Sequence, residues 1–398
     1  MQQILLRIPG LNLPIFGFGA MLFVAFFACT WLAGRRARKE GIAPELIQDI
    51  AIWLFVSGLL GARVLYEIME VPWRGLGNFL WQLPRIWDGG IILYGSVIGG
   101  LAGYAVFYWF KIRKLKIPTL QLADIIAPSV ALGIGIGRIG CFLNGCCYGQ
   151  VACATCAAYA VSFPLSAPPR VALVQSGYQT AAGFTYGKPG EQSNRFVYVG
   201  HVEKDSPAEQ AGLKEGDLIE AVDGEDLSSI KKITVGASKE ELVLDTPIKL
   251  LDYHLESPEA RGRNVLTLAV RDNPLAEPRE VSFRPWTLGL QPTQLYETIS
   301  MVLLFLLLTA LSPLRYRQGL MTAVLMMGYA AHRALNELLR ADPRPGGLES
   351  YFSYVLFLAG VGMAVYVLYR GKKVEIADRV NLPAAESTVK PAVASASA

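Results

Sequence analysis

The sequence predicts an α-helical polytopic membrane protein with about seven transmembrane helices, interrupted by a small, mostly β domain outside the cytoplasm. Three observations carry this. Of the 398 residues, 52% are hydrophobic and 18% charged; mean hydropathy is +0.35. The apolar residues fall in blocks of the ~20 that a bilayer requires. Lys and Arg stand in short clusters beside those blocks. Between about 146 and 290 the pattern breaks into a stretch rich in charge, Gly and Pro.

Seven spans are read at about 14–34, 48–69, 90–110, 122–145, 295–312, 317–339 and 350–370. Basic clusters follow the first (Arg35, Arg36, Arg38, Lys39), the third (Lys111, Arg113, Lys114, Lys116), the fifth (Arg315, Arg317) and the seventh (Arg370, Lys372, Lys373). All lie on one side if the N-terminus is outside and the C-terminus cytoplasmic, which satisfies the positive-inside rule. The start does not read as a cleavable signal peptide, because its basic cluster follows the apolar run. The net charge of +4 sets topology and gives no basic stripe for nucleic acid. With His201, His254 and His332 as the only histidines, an HExxH metalloprotease is excluded.

Within the insert, Phe196 to Val202 is β-branched and aromatic and reads as a strand. Ser206 is placed to cap a short helix with Pro207 at its first position, and Gly212 to end it. Gly216-Asp217 leads into a strand from Leu218 to Val222, followed by a hairpin-like turn at Asp223-Gly224. This SPAxxAGLxxGDxIxxVxG run resembles a bacterial PDZ domain over roughly 175–285, with Ala182-Gly183-Phe184 as candidate carboxylate-binding loop. The resemblance implies an extended peptide ligand added to a sheet edge; a structural insert without ligand is the competing reading. The tail from Val374 is rich in Ala, Val, Ser and Pro and reads as a disordered cytoplasmic end.

Four stretches put polar groups where lipid would exclude them. The run Gly133 to Gly149, GIGIGRIGCFLNGCCYG, sets Arg138 among glycines, with Asp124 about four turns earlier. A guanidinium at that depth costs a few kcal/mol and must face a partner, cavity or substrate. Trp87-Asp88-Gly89-Gly90 through Tyr94-Gly95 opens the third span; Gln291-Pro292-Thr293-Gln294-Leu295-Tyr296-Glu297 opens the fifth. On the sixth, Tyr329, Arg333 and Glu337 recur at i, i+4 and i+8 on one face, with Arg340 a turn later. Either the arginines are self-satisfied by carboxylates, or their planar forks receive a phosphate, as in a phospholipid headgroup.

The ordered set WDGGxxxxG, GRIGCFLNG, PTQLYE and GYxxxRxxxE resembles the prolipoprotein diacylglyceryl transferase family over about 1–165 and 287–373. The resemblance divides the chain into 1–165, a PDZ-like insert at 166–286, 287–373 and a tail at 374–398. It implies a bacterial inner-membrane enzyme that moves the diacylglyceryl group of phosphatidylglycerol onto the lipobox cysteine of a prolipoprotein. A thioether forms, glycerol phosphate leaves, and no metal or cofactor is called for. Carried over by position, the catalytic candidates are Arg138, Arg333, Tyr94 and Tyr329. The substrate-binding candidates are Asp88, Gly89, Gly90, Gly95, Asn144, Gly149 and Glu337.

The sequence departs from the family pattern. Cys141 and Cys146 stand where Asn and Glu are usual, Tyr94 replaces a histidine, and Phe18 a tyrosine. A phenol titrating near pH 10 is a poor base at neutral pH, so the group that deprotonates the substrate thiol is not identified. Cys141, Cys146, Cys147, Cys153 and Cys156 leave three readings open: a metal site through CxxC, disulfides, or packing thiols. An intramembrane protease lacks a histidine placed to activate Ser96. A transporter or non-catalytic scaffold of the same fold is the remaining alternative, although no internal repeat supports transport.

Overall fold

The computed structural model describes residues 3–9, 13–71, 75–84, 92–153, 158–165, 167–187, 197–228, 231–235, 240–244, 246–256, 264–273, 275–342 and 348–372. A short antiparallel hairpin, β1 (Ile4–Ile8) and β2 (Leu13–Phe16), precedes the first long helix, α1 (Gly17–Lys39). The first span expected from sequence, about 14–34, begins instead with β2, and the helix starts at Gly17. Leu13-Pro14-Ile15-Phe16 is apolar enough to pass for helix, but Pro14 withholds an N–H and the stretch pairs as strand. The hairpin is tied to the head of the bundle, where the Gln3 side chain donates to the Asn144 carbonyl at 3.1 Å.

Next come α2 (Pro44–Met69), the short α3 (Leu76–Gln82) and α4 (Leu93–Phe107). A π-helical turn, Tyr108–Ile112, carries α4 into α5 (Arg113–Leu115), and α6 (Thr119–Asn144) follows. Among the described residues five helices are long and apolar enough to cross a membrane: α1, α2, α6, Thr293–Leu314 and Tyr351–Arg370. The third and sixth spans read from sequence fall short for local reasons. The π-turn divides the third, leaving α4 with 15 residues. The sixth carries His332, Arg333, Asn336 and Glu337 in its last turns. Phe23, Phe27, Trp31, Leu101, Leu303 and Leu358 stand exposed on the outer surfaces, as suits side chains that face acyl chains.

Helix α2 crosses α4 through glycines. A Cβ at Gly61 would lie 2.4 Å from the Gly95 carbonyl oxygen, and one at Gly99 would lie 2.3 Å from that of Ser57. The backbones touch because no side chain separates them.

After α6 the chain leaves the bundle. The strands that lead out and back run side by side, Val151 and Val161 bridging Leu290 and Pro164 bridging Trp286. The insert holds α7 (Pro168–Gln175), β3 (Phe184–Gly187), β4 (Val197–Val202), α8 (Pro207–Gln210), β5 (Leu218–Val222) and β6 (Glu225–Asp226). It continues with β7 (Lys231–Val235), β8 (Glu240–Leu244), α9 (Pro247–Glu256), β9 (Leu266–Arg271) and β10 (Arg279–Phe283). An antiparallel sheet of order β10-β9-β5-β4-β3, with β6 on β5, encloses a core that includes Phe184, Val199, Leu250, Leu266 and Phe283. Local signals read from sequence recur here. Ser206 Oγ accepts from the Glu209 N–H at 3.2 Å, Gly212 takes φ +88°, and Asp223-Gly224 turns β5 into β6 with φ of 51° and 81°.

The bundle closes with α10 (Thr293–Leu311), α11 (Leu320–Glu337) and α12 (Leu348–Arg370). Asp124, grouped with the polar constellation by sequence, serves a different purpose. Its fully buried carboxylate accepts from the N–H of Gly319 at 2.7 Å, and from the N–H and hydroxyl of Thr322 at 2.9 Å each. An anion thus meets the unpaired N–H groups of the α11 N-terminus. Arg315 lies 3.6 Å away and binds Glu40 at 2.8 Å, joining α1, α6 and α11 at one end of the bundle. The tail reading from Val374 lies outside the described residues.

Asp124→Ala leaves the Gly319 and Thr322 donors buried without their acceptor and Arg315 with Glu40 alone, and destabilises by about 3 kcal/mol. A lower unfolding midpoint of the detergent-purified protein checks this, and Asp124→Asn, which keeps one acceptor oxygen, loses less.

Candidate active site

At the opposite end from Asp124, α6 brings Arg138 against the start of α10. Arg138 Nε pairs with Glu297 Oε1 at 3.0 Å, and Glu297 is 1% exposed. Asn336 of α11 donates to the other carboxylate oxygen at 3.1 Å. Glu297 therefore clamps three helices with one side chain. The sequence singled out its motif but did not place Glu297 among the site residues. Its partner was foreseeable, because a buried guanidinium demands a carboxylate; its identity needed the helix packing.

The helix approach is made possible by small residues. Gly135 sits on Thr298 and Met301 of α10, and the Thr298 hydroxyl reaches the Gly135 carbonyl at 3.3 Å. Gly140 packs against Phe18 and Met21 of α1.

Arg333 and Glu337 form the expected i, i+4 pair at 3.5 Å, both side chains mostly buried. His332, next to Arg333 on α11, lies within electrostatic reach of Glu297 and Arg138. Tyr329 acts on Arg138 in the same way and packs at the edge of an α6–α10–α11 apolar cluster. Arg340 grips Asp342 with two bonds of 2.8 and 2.7 Å. Burial opposes its charge, but Asp342 and Cys147 outweigh that and raise its pKa. Burial, then the charge of Asp342, also pushes the Tyr148 phenol up to about 12.

The loop after α6 is locked over this centre. Asn144 is the last helical residue and Gly145 reverses the chain with φ +79°. Thr293 Oγ1 and Gln294 Nε2 donate to the carbonyls of Cys147 and Cys146, each at 2.7 Å. Gly149 is sandwiched: its N–H bonds the Gln291 carbonyl at 3.0 Å, and a Cβ there would lie 2.6 Å from that same oxygen. Gly149 thereby lets the loop lie on the strand leading into α10.

The third-span candidates stand differently. Asp88, Gly89 and Gly90 lie outside the described residues, as does the Tyr94 side chain. Gly95 is buried in the α2–α4 crossing against Gly61 and Ala62. Near that crossing is a pair the sequence reading missed: Arg63 and Glu67, both buried, bridged at 2.9 Å. Their i, i+4 spacing inside an apolar run was the available signal.

Of the cysteines, Cys153 is disulfide-bonded, with its partner outside the described residues. Cys141, Cys146 and Cys147 are free thiols, and their sulfurs lie within 4.8 Å of one another.

The fold and site define an integral membrane protein whose long helices hold a buried arginine–carboxylate centre. A family model described as "Prolipoprotein diacylglyceryl transferase" matches residues 3–366, and the chain belongs to that family. Relatives carrying the name phosphatidylglycerol–prolipoprotein diacylglyceryl transferase include one from Rhodopirellula baltica, 32% identical over 51% of this chain and 41% of the relative. The protein of that name from Clostridium tetani is 35% identical over 38% of this chain and 57% of the relative. That from Thermosynechococcus vestitus is 37% identical over 33% and 47% respectively. The chain thus spans about half the length of the curated relatives it matches.

Glu297→Ala strands Arg138 and destabilises the bundle by about 3 kcal/mol. Replacing both partners with methionine recovers part of that loss. Unfolding midpoints of the single and double variants in one detergent check the coupling.

Proposed function

We propose that the chain transfers the diacylglyceryl group of phosphatidylglycerol to the lipobox cysteine thiol of prolipoproteins, the first step of lipoprotein maturation. The observation that carries this is the buried Arg138–Glu297 pair, tied through Asn336 to the helix that bears the Arg333–Glu337 pair, in a chain of this family. The substrate sulfur attacks the glycerol carbon bonded to phosphate oxygen. A C–S bond forms, the C–O bond breaks, and its electron pair leaves with glycerol phosphate. Charge grows on the departing oxygen, and preset guanidiniums stabilise that growth without reorganising. Glu297 engages Arg138 through Nε, which fixes the guanidinium plane for a phosphate. Arg333 does the same from α11, with Glu337 as its orienting partner. Asn144 and Gly149 shape the loop over the headgroup and Tyr329 faces it from α11, while Asp88, Gly89, Gly90 and Tyr94 remain candidates on the sequence resemblance alone.

In this reading the chain crosses the bacterial inner membrane seven times, with its N-terminus outside and C-terminus cytoplasmic. Support comes from the basic clusters, which gather at one end through Arg36 with Ser312, Lys111 with Asp49, Arg315 with Glu40, and Gln318 with the Lys372 carbonyl. The 166–286 insert is PDZ-like, supported by the capped Ser206-Pro207 helix and by β3 ending the sheet order among the described residues. Its peptide ligand rests on the sequence resemblance alone.

Complementation tests the transferase reading. Expressed in bacteria depleted of their own diacylglyceryl transferase, the chain restores a diacylglyceryl-sized mass gain on lipoproteins. Arg138→Ala and Arg333→Ala each abolish it. No gain from the folded, inserted wild-type chain would replace this reading with the scaffold alternative.

A further inference from the structure

The transferase reading leaves one step without an agent, namely deprotonation of the incoming thiol. No histidine stands at position 94, and a free cysteine at pH 7 is only a few per cent thiolate. Beside Arg138 lies a group of side chains suited to that task and so far unused.

Cys141 occupies the last turn of α6, three residues after Arg138 and so on the same face. Gly145 then turns the chain back, its N–H and that of Cys146 both bonding the Cys141 carbonyl, at 2.9 and 3.2 Å. Cys147 takes a left-handed φ of 59°, a conformation few non-glycine residues adopt. These two reversals put all three sulfurs within 4.8 Å of one another. The clamps from Thr293 and Gln294 hold the carbonyls of Cys146 and Cys147 from α10, so the arrangement is fixed on both sides.

We propose that Cys141, Cys146 and Cys147 form a three-thiolate zinc site whose open fourth position takes the substrate cysteine as a thiolate. This rests on the transferase reading and deepens it. Three protein ligands with one vacant position is the arrangement of a catalytic zinc. Zn–S bonds of ~2.3 Å put tetrahedral sulfurs ~3.8 Å apart, within reach of small rotamer changes from the observed spacing. Among the described residues no His, Asp, Glu or further Cys joins the three. Three thiolates and Zn²⁺ sum to one negative charge, and a fourth thiolate makes two. Arg138 acts electrostatically on Cys141 and Cys147, and Arg340 on Cys147, each while also paired with a carboxylate, Glu297 and Asp342 respectively.

The chemistry balances. The substrate thiol gives its proton to water on binding, since a coordinated thiol is deprotonated outright. The thiolate then attacks the glycerol carbon, the C–O bond breaks towards phosphate, and the product thioether, a far weaker ligand, leaves the metal.

The test uses the full-length chain in lipid nanodiscs with a non-thiol reductant, stripped of metal and titrated with Co²⁺. One equivalent produces sulfur-to-cobalt charge-transfer and tetrahedral ligand-field absorption. Cys141→Ser, Cys146→Ser and Cys147→Ser each weaken binding by more than about tenfold. Cys29→Ser, whose thiol bonds the Ser129 carbonyl away from the cluster, leaves it unchanged. A lipobox peptide perturbs the spectrum, and its Cys→Ser analogue does not. With Zn²⁺, transfer is nearly flat from pH 6 to 8. The stripped protein is slower by up to roughly thirtyfold at pH 7, the thiolate fraction lost for a thiol of pKa ~8.5, and its rate climbs with pH. Undiminished transfer by the stripped protein overturns the zinc site and leaves the transferase reading standing. Metal and peptide binding without transfer does the reverse. No cobalt–thiolate spectrum from folded, reduced protein, or a spectrum indifferent to the peptide, overturns the proposal.

Discussion

A guanidinium cannot be left alone in hydrocarbon, and the ion pair between Arg138 and Glu297 is the constraint on which the membrane core depends. It fixes which faces of α6 and α10 meet, and Asn336 extends the demand to α11 by satisfying the second carboxylate oxygen. The glycines around Arg138 follow from the same requirement. Gly135 and Gly140 remove bulk so that α10 and α1 can close on the helix that carries the charge. Such a pair is no gift to stability, since desolvating both ions costs several kcal/mol before their attraction returns it. Its retention in a buried centre is more easily understood as preorganisation of a cation.

Helix α6 is polar at both ends for different reasons. At one end Asp124 meets the α11 N-terminus and Arg315, a structural lock built from a helix dipole and a buried charge. At the other, Arg138 and the cysteine turn face the entry to α10. One helix thus links the bundle's rigidity to the site. The two ends stand roughly 39 Å apart, at 1.5 Å for each of its 26 residues.

The insert is attached where the site lies. Its outgoing and returning segments bridge at Val151, Val161 and Leu290, and the returning segment runs on through Gln291 into α10, whose first residues Thr293 and Gln294 hold the loop after α6. Movement of the insert therefore has a short covalent route to the clamp on Cys146 and Cys147.

The sequence by itself determined the long apolar helices, the charge asymmetry, the Ser206 cap and the turn at Asp223-Gly224. Each of these is a local matter of span length, Lys/Arg placement, or backbone conformation. It also marked Arg138, Arg333 and Glu337, because burying charge is costly wherever the helix goes. Tertiary structure alone decided that Glu297 rather than Asp124 partners Arg138, that Gly95 closes a helix crossing, and that three cysteines spaced over seven residues converge. Those outcomes depend on which helix faces meet and on two left-handed turns after α6. Such relations are set by packing between segments far apart in the chain, which no local pattern encodes.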